Sequence, residues 1–160
     1  MQKAIFAAGC FWGVQYYFDQ VPGVTKTIVG YCGGHTENPT YQEVCSHITG
    51  HAEAIMIEFD PGVVSYEILV RQLFRMHDPT QLNRQGPDIG DNYRSVIFYL
   101  NPMQKKIAEA VRDESQQHLN KPMATQIVLA PTFYKAEEYH QKYTEKTGRG
   151  MCHIPYEVVN

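Results

Sequence analysis

The chain has 160 residues, with 14 lysines and arginines against 17 aspartates and glutamates, a formal charge of -3, and 43% apolar residues. That length allows one compact domain with a real core. No basic stripe suits nucleic acid, no apolar run reaches membrane-spanning length, and the apolar stretch behind Met1-Gln2-Lys3 is short for a signal peptide. The composition therefore reads as a cytoplasmic protein.

Residues 4–8 read as a short buried strand that Gly9 breaks. From Phe11 to Gln20 the apolar residues Phe11, Val14, Tyr17 and Phe18 recur at helical spacing, and Pro22-Gly23 ends that helix. Residues 25–31 are rich in β-branched side chains and predict a strand. A polar loop follows over 32–50, broken by Gly33-Gly34 and Asn38-Pro39. Ala52–Phe59 has the pattern of a strand buried largely on both faces, and Asp60-Pro61-Gly62 is a turn. Ser65 caps a predicted helix through His77, with Leu69, Leu73 and Met76 on one face. Residues 78–93 form a second long polar loop, and 94–100 a strand. Asn101-Pro102 opens a helix to about Leu119. Residues 125–129 predict a strand and 136–147 a last helix, which Gly148 and Gly150 stop.

This order gives an α/β single domain. Its expected form is a two-layer α/β sandwich with a ferredoxin-like split β-α-β-β-α-β core and long loops. Loops of that length in a compact domain are usually functional or disordered, and their Tyr, His and Gly content argues for function.

Cysteines stand at 10, 32, 45 and 152, with no Cys-x-x-Cys pair. Gly9-Cys10-Phe11-Trp12-Gly13 lies where a strand passes into a helix. Free N–H groups and the positive end of the dipole favour a thiolate there. Gly9 permits the turn that aims Cys10 outward, and Phe11 and Trp12 could wall an apolar pocket. The competing reading is an inert buried cysteine in an aromatic core.

This pentapeptide resembles peptide methionine sulfoxide reductase of type A. The resemblance extends to Pro39-Thr40-Tyr41-Gln42-Glu43-Val44-Cys45, to Gly50-His51-Ala52-Glu53-Ala54, and to Gln85-Gly86-Pro87-Asp88 with Tyr93-Arg94-Ser95, in the family's order and spacing. It implies thiol-dependent reduction of methionine S-sulfoxide, in proteins or free, with no resident cofactor and no metal. Cys10 is then the nucleophile and Glu53 the acid. Glu53 is the only carboxylate in the apolar run 52–57, where burial favours a neutral, proton-donating group. Its alternative is the solvent face of an edge strand. Tyr41 and Tyr93 are the matched phenols, each able to donate one O–H to the sulfoxide oxygen, or else to pack at a loop base. Asp88 matches a substrate-binding or supporting position, or simply occupies a turn. Phe11 and Trp12 resemble the pocket for the methyl group.

The resemblance further implies recycling. A sulfenic acid on Cys10 is resolved by Cys152, giving a Cys10–Cys152 disulfide that thioredoxin or dithiothreitol opens. Residues 1–160 are then one catalytic domain, with 148–160 a flexible recycling tail and the protein a monomer. Only one cysteine follows the core, which disfavours a relay between tail cysteines. Cys32 is the alternative resolving thiol, and Cys45 reads as structural. His47 and His51 stand at i, i+4 but flank Thr49-Gly50, a poor helix for a zinc site. Two other classes remain: a cysteine hydrolase, and a non-catalytic module that binds oxidised peptides.

Overall fold

The computed structural model describes residues 1–151, 154, 155, 157 and 158. Strand β1 (Gln2–Ala8) sends Ala4, Phe6 and Ala8 to one face of the sheet and Ile5 and Ala7 to the other, as the two-residue pleat requires. Helix α1 (Phe11–Asp19) follows, then β2 (Val24–Cys32), the short α2 (Tyr41–Cys45), β3 (Ala52–Phe59) and α3 (Tyr66–Met76). Two-residue strands β4 (Arg84–Gln85) and β5 (Asp88–Ile89) pair with each other, and a 3-10 turn spans Asp91–Tyr93. Then come β6 (Ser95–Tyr99), α4 (Pro102–Gln116), β7 (Gln126–Leu129), β8 (Tyr134–Lys135), a 3-10 turn at Glu138–His140 and α5 (Tyr143–Thr147).

The six-stranded sheet runs β7-β6-β1-β3-β2-β8. Its central β6-β1-β3-β2 is antiparallel throughout, which is the ferredoxin-like split unit. Strand β7 extends it in parallel beside β6, and β8 antiparallel beside β2. The main core lies between the sheet and the helices, where Phe6, Phe11, Tyr17, Phe18, Ile55, Ile57, Phe59, Leu69 and Leu73 are buried. Each such side chain is worth about 1.5–3 kcal/mol of burial. A smaller cluster on the opposite face, including Ala7, Cys32, Ala52, Ala54 and Phe98, is met by Ala130 and Phe133.

Several expectations need correction. Residues 136–147 are not one helix. Gln141 sends its side chain into β2, bonding both the N–H and the carbonyl of Val29, and Lys142 turns left-handed at φ 58° before α5 begins. The first loop contains α2, closed by a capping box between Thr40 and Glu43. The second loop contains the β4–β5 pair, and β8 was not expected at all.

The cap at Asn101 stands as read: its side chain accepts from the Gln104 N–H at 2.9 Å, with Pro102 at the first helical position. Asn101→Ala should therefore lower unfolding stability by about 1 kcal/mol. The check is a lower urea midpoint at unchanged slope; an unmoved midpoint would deny the cap any role.

Candidate active site

Cys10 sits at the seam between sheet and helix layers. Gly9 turns the chain out of β1 at φ 96°, a conformation that glycine adopts freely. Cys10 is then the N-cap of α1 and is 6% exposed, and its sulfur lies 3.9 Å from the Gly150 carbonyl oxygen. Met151 and Ile154 are seated against the same helix: a Cβ on Gly13 would come within 2.9 Å of the Met151 carbonyl oxygen and 3.1 Å of Ile154 Cγ1.

Glu53 belongs to β3, between β1 and β2, so the edge-strand alternative falls. It stands opposite Tyr31 in the ladder and points to the helix side, as Ile55 and Ile57 do. Its carboxyl is 1% exposed. One oxygen accepts the Phe11 N–H at 3.2 Å, taking up one of the free donors of the first turn of α1. The other accepts from Asn92 Nδ2 at 3.4 Å.

The two phenols come from the two long loops. Burial, with Glu53 beside them, pushes both the Tyr41 and Tyr93 hydroxyls above the ordinary phenol range. They stay protonated at any physiological pH and remain donors. Cys10 and Asp88 are among the further groups acting on Tyr93, and Cys45 hydrogen-bonds the Tyr41 hydroxyl one helical turn along. Asp88 keeps one buried carboxylate oxygen without a hydrogen-bond partner among the described residues.

Phe11 and Trp12 form the apolar wall. Trp12 stacks on Tyr143 at 4.0 Å between ring centroids, and its indole N–H donates to His140 Nδ1 at 2.8 Å. His140 is fully buried, and burial holds its pKa below the usual histidine range, so the ring is neutral. Phe11 packs at 5.8 Å from Tyr31, whose hydroxyl donates to Glu137 at 2.8 Å.

The structure thus brings Cys10, Phe11, Trp12, Tyr41, Glu53, Asp88 and Tyr93 into one neighbourhood. Cys152 lies outside the described residues. Cys32 is fully buried on the sheet face away from the helices, and burial pushes its thiol up to about 12, which leaves it almost no thiolate at neutral pH. His51 spends both ring nitrogens inside its own loop, on the Gly34 N–H and the Thr36 carbonyl. Among the described residues no three His, Cys, Asp or Glu side chains gather as a metal site, and no helix is long and apolar enough to cross a membrane.

Sequence reasoning missed Tyr31, Asn92, Glu137, His140 and Tyr143. The last three lie in Ala136–Glu137–Glu138–Tyr139–His140 and just beyond it, a stretch dense in acidic and aromatic residues that the helical reading concealed.

Residues 2–160 match the family model described as "Peptide methionine sulfoxide reductase". The "Peptide methionine sulfoxide reductase MsrA" of Geobacter sulfurreducens is 55% identical over 154 residues, covering 95% of each chain. The reduced form of Mxr1 from Saccharomyces cerevisiae superposes with a TM-score of 0.87 at 34% identity, over 93% of this chain and 87% of that one. Mxr1 in complex with Trx2 has the same fold, with a TM-score of 0.62 at 23% identity over 89% and 84%.

Proposed function

Because this chain belongs to the peptide methionine sulfoxide reductase family, we propose that its Cys10 sulfur takes the oxygen of a methionine S-sulfoxide. The reaction of the family is thiol-dependent reduction of methionine sulfoxide to methionine. The observation that carries the assignment to Cys10 is its place at the N-terminus of α1, beside the buried Glu53 carboxyl and two neutral phenols.

The helix N-terminus favours negative charge on the Cys10 sulfur. A sulfoxide sulfur becomes electrophilic as its oxygen is hydrogen-bonded and protonated. The Tyr41 and Tyr93 hydroxyls donate to that oxygen without bringing charge, and Glu53 delivers the proton. Sulfur attacks, the substrate S–O bond breaks, and the oxygen ends on Cys10 as a sulfenic acid, with methionine released. Phe11 and Trp12 receive the methyl group. Asp88, in the same loop as Tyr93 and one of the charges acting on it, is the substrate-binding or supporting carboxylate.

Recycling falls to Cys152, within a tail of residues 148–160. Its thiol condenses with the sulfenic acid, losing water and forming a Cys10–Cys152 disulfide. A thioredoxin reduces that bond, as a dithiol becoming a disulfide, and dithiothreitol can replace it. The complex of the yeast protein with Trx2 supports a partner of this class. The position of Gly150 at 3.9 Å from Cys10 supports delivery of the tail to the site. The protein acts as a cytoplasmic monomer without a resident cofactor.

The direct test supplies dithiothreitol and each sulfoxide epimer separately and quantifies methionine. Methionine from the S epimer alone is expected; yield from the R epimer, or from neither, would end the assignment. The Cys152→Ser variant should still release one methionine per chain, then stall as a Cys10 sulfenic acid that thioredoxin cannot sustain. Peptide mapping of the oxidised parent should find Cys10 joined to Cys152. Full thioredoxin-supported turnover by the variant would remove Cys152 from the cycle.

A further inference from the structure

We infer that Glu137 is a positioning residue for the reduction: its carboxylate clamps the Tyr41 backbone and the Tyr31 phenol together, and so fixes the Tyr41 hydroxyl and the Phe11 ring in the site. The inference rests on the reading of Tyr41 as a donor to the sulfoxide oxygen.

Glu137 comes from the segment between β8 and α5, distant in sequence from both partners. One carboxylate oxygen accepts the Tyr41 N–H at 3.0 Å, and the other accepts the Tyr31 hydroxyl at 2.8 Å. Burial works against its charge, but the N–H groups of Tyr41 and of Glu137 itself, with the Tyr31 phenol, together hold the carboxyl below the usual range. It is therefore a permanent anion, bonded to donors from two different elements.

Those two elements need such a clamp for different reasons. Helix α2 has five residues and sits in a long loop, and Val44 is its only fully buried side chain. A helix that short has little hold of its own. Tyr41 is its first residue, so its N–H has no partner within the helix, and Glu137 supplies one from the far side of the site. Tyr31 lies on β2 with its ring against Phe11. A bond to its hydroxyl fixes the surface on which Phe11 rests. Through one carboxylate, the oxygen donor and part of the methyl pocket are held in register.

Glutamine weakens this clamp. With its amide oxygen on the Tyr41 N–H, its amide nitrogen faces the Tyr31 phenol, which must turn its hydroxyl round to accept. Both bonds lose the charge that strengthened them. Glu137→Gln should lower kcat/KM for a sulfoxide peptide by about tenfold or more, the usual worth of a hydrogen bond to a charged group. Glu137→Asp, which keeps both charge and acceptors, should recover part of the loss. The loss in Glu137→Gln should be the same from about pH 6 to pH 9, since a carboxylate does not titrate there. A loss that disappears at one end of that range would make Glu137 a proton carrier and overturn the positioning role.

The decisive experiment is a cycle of Glu137→Gln against Tyr41→Phe, with a urea midpoint for each variant. If Glu137 acts through Tyr41, adding Glu137→Gln to Tyr41→Phe should cost much less than adding it to the parent. Equal costs would overturn the inference and leave the Tyr41 reading standing. A Tyr41→Phe chain as fast as the parent would overturn that reading, and the inference with it. Should Glu137→Gln fail to fold, the same cycle is run with Glu137→Asp, whose shorter reach weakens the clamp without removing its charge.

Discussion

A Cys10→Ser chain should reduce no methionine sulfoxide while folding as well as the parent. Both halves follow from the place of the residue. Cys10 is the N-cap of α1 at φ -57° and ψ 118°, and its side chain makes no capping bond. Serine is among the better N-cap residues, since its oxygen can accept an N–H of the first turn. The substitution is nearly isosteric, so the turn from Gly9 into α1 should persist, and stability should hold or rise by up to about 1 kcal/mol. The chemistry does not survive in the same way. A serine hydroxyl is hardly ionised near neutrality and has no sulfur on which to carry the transferred oxygen, so neither the attack nor the sulfenic acid has an equivalent. The loss should exceed the ~10²–10⁴-fold worth of any single proton donor. Methionine released in one turnover, with excess dithiothreitol, measures it, and the urea midpoint reports the fold. A retained single-turnover yield would place the nucleophile at another residue, and burial already argues against Cys32.

Some residues carry a local signal in the sequence, whereas Tyr41, Asp88 and Tyr93 rest on the family resemblance alone. Cys10 follows a strand-ending glycine and opens a helical period. Glu53 interrupts an apolar run. Asn101-Pro102 and Ser65 are caps whose partners lie three residues on. Glu137 and His140 carry no such mark. Their partners are about a hundred residues away, on β2, on α2 and on α1, and meet them only once the sheet has closed. The apolar and polar residues of 136–147 suggest a helix, because period alone cannot register that Gln141 spends its side chain on Val29 and that Lys142 reverses the chain. Strand β8 is two residues long and exists because β2 offers it an edge. The α2 helix was legible after all: Thr40 and Glu43 form a capping box in plain sequence, masked by the Asn38-Pro39 break beside it.

Glu53→Gln should slow the reductive step by ~10²–10⁴-fold, the range for a positioned general acid, and should leave the fold in place. The side chain is 1% exposed and its two oxygens face two donors, Phe11 N–H and Asn92 Nδ2. A glutamine can keep the first bond through its amide oxygen. Its amide nitrogen would then face Asn92, whose own oxygen has no partner among the described residues. A half-turn of the Asn92 amide offers that oxygen to the new N–H and repairs the contact. The cap on α1 and the packing beneath it therefore survive, and only the transferable proton is gone. Without it the sulfoxide oxygen still receives hydrogen bonds from Tyr41 and Tyr93, which is why the loss should stop short of that at Cys10. Rapid-quench measurement of methionine at single turnover in neutral buffer reads the effect. A rate within about threefold of the parent at neutral pH, far short of a general acid's worth, would reduce Glu53 to a helix cap. The proton would then have to come from Tyr41 or Tyr93, and a phenol held so far above its ordinary range gives up a proton only as the sulfoxide oxygen takes it.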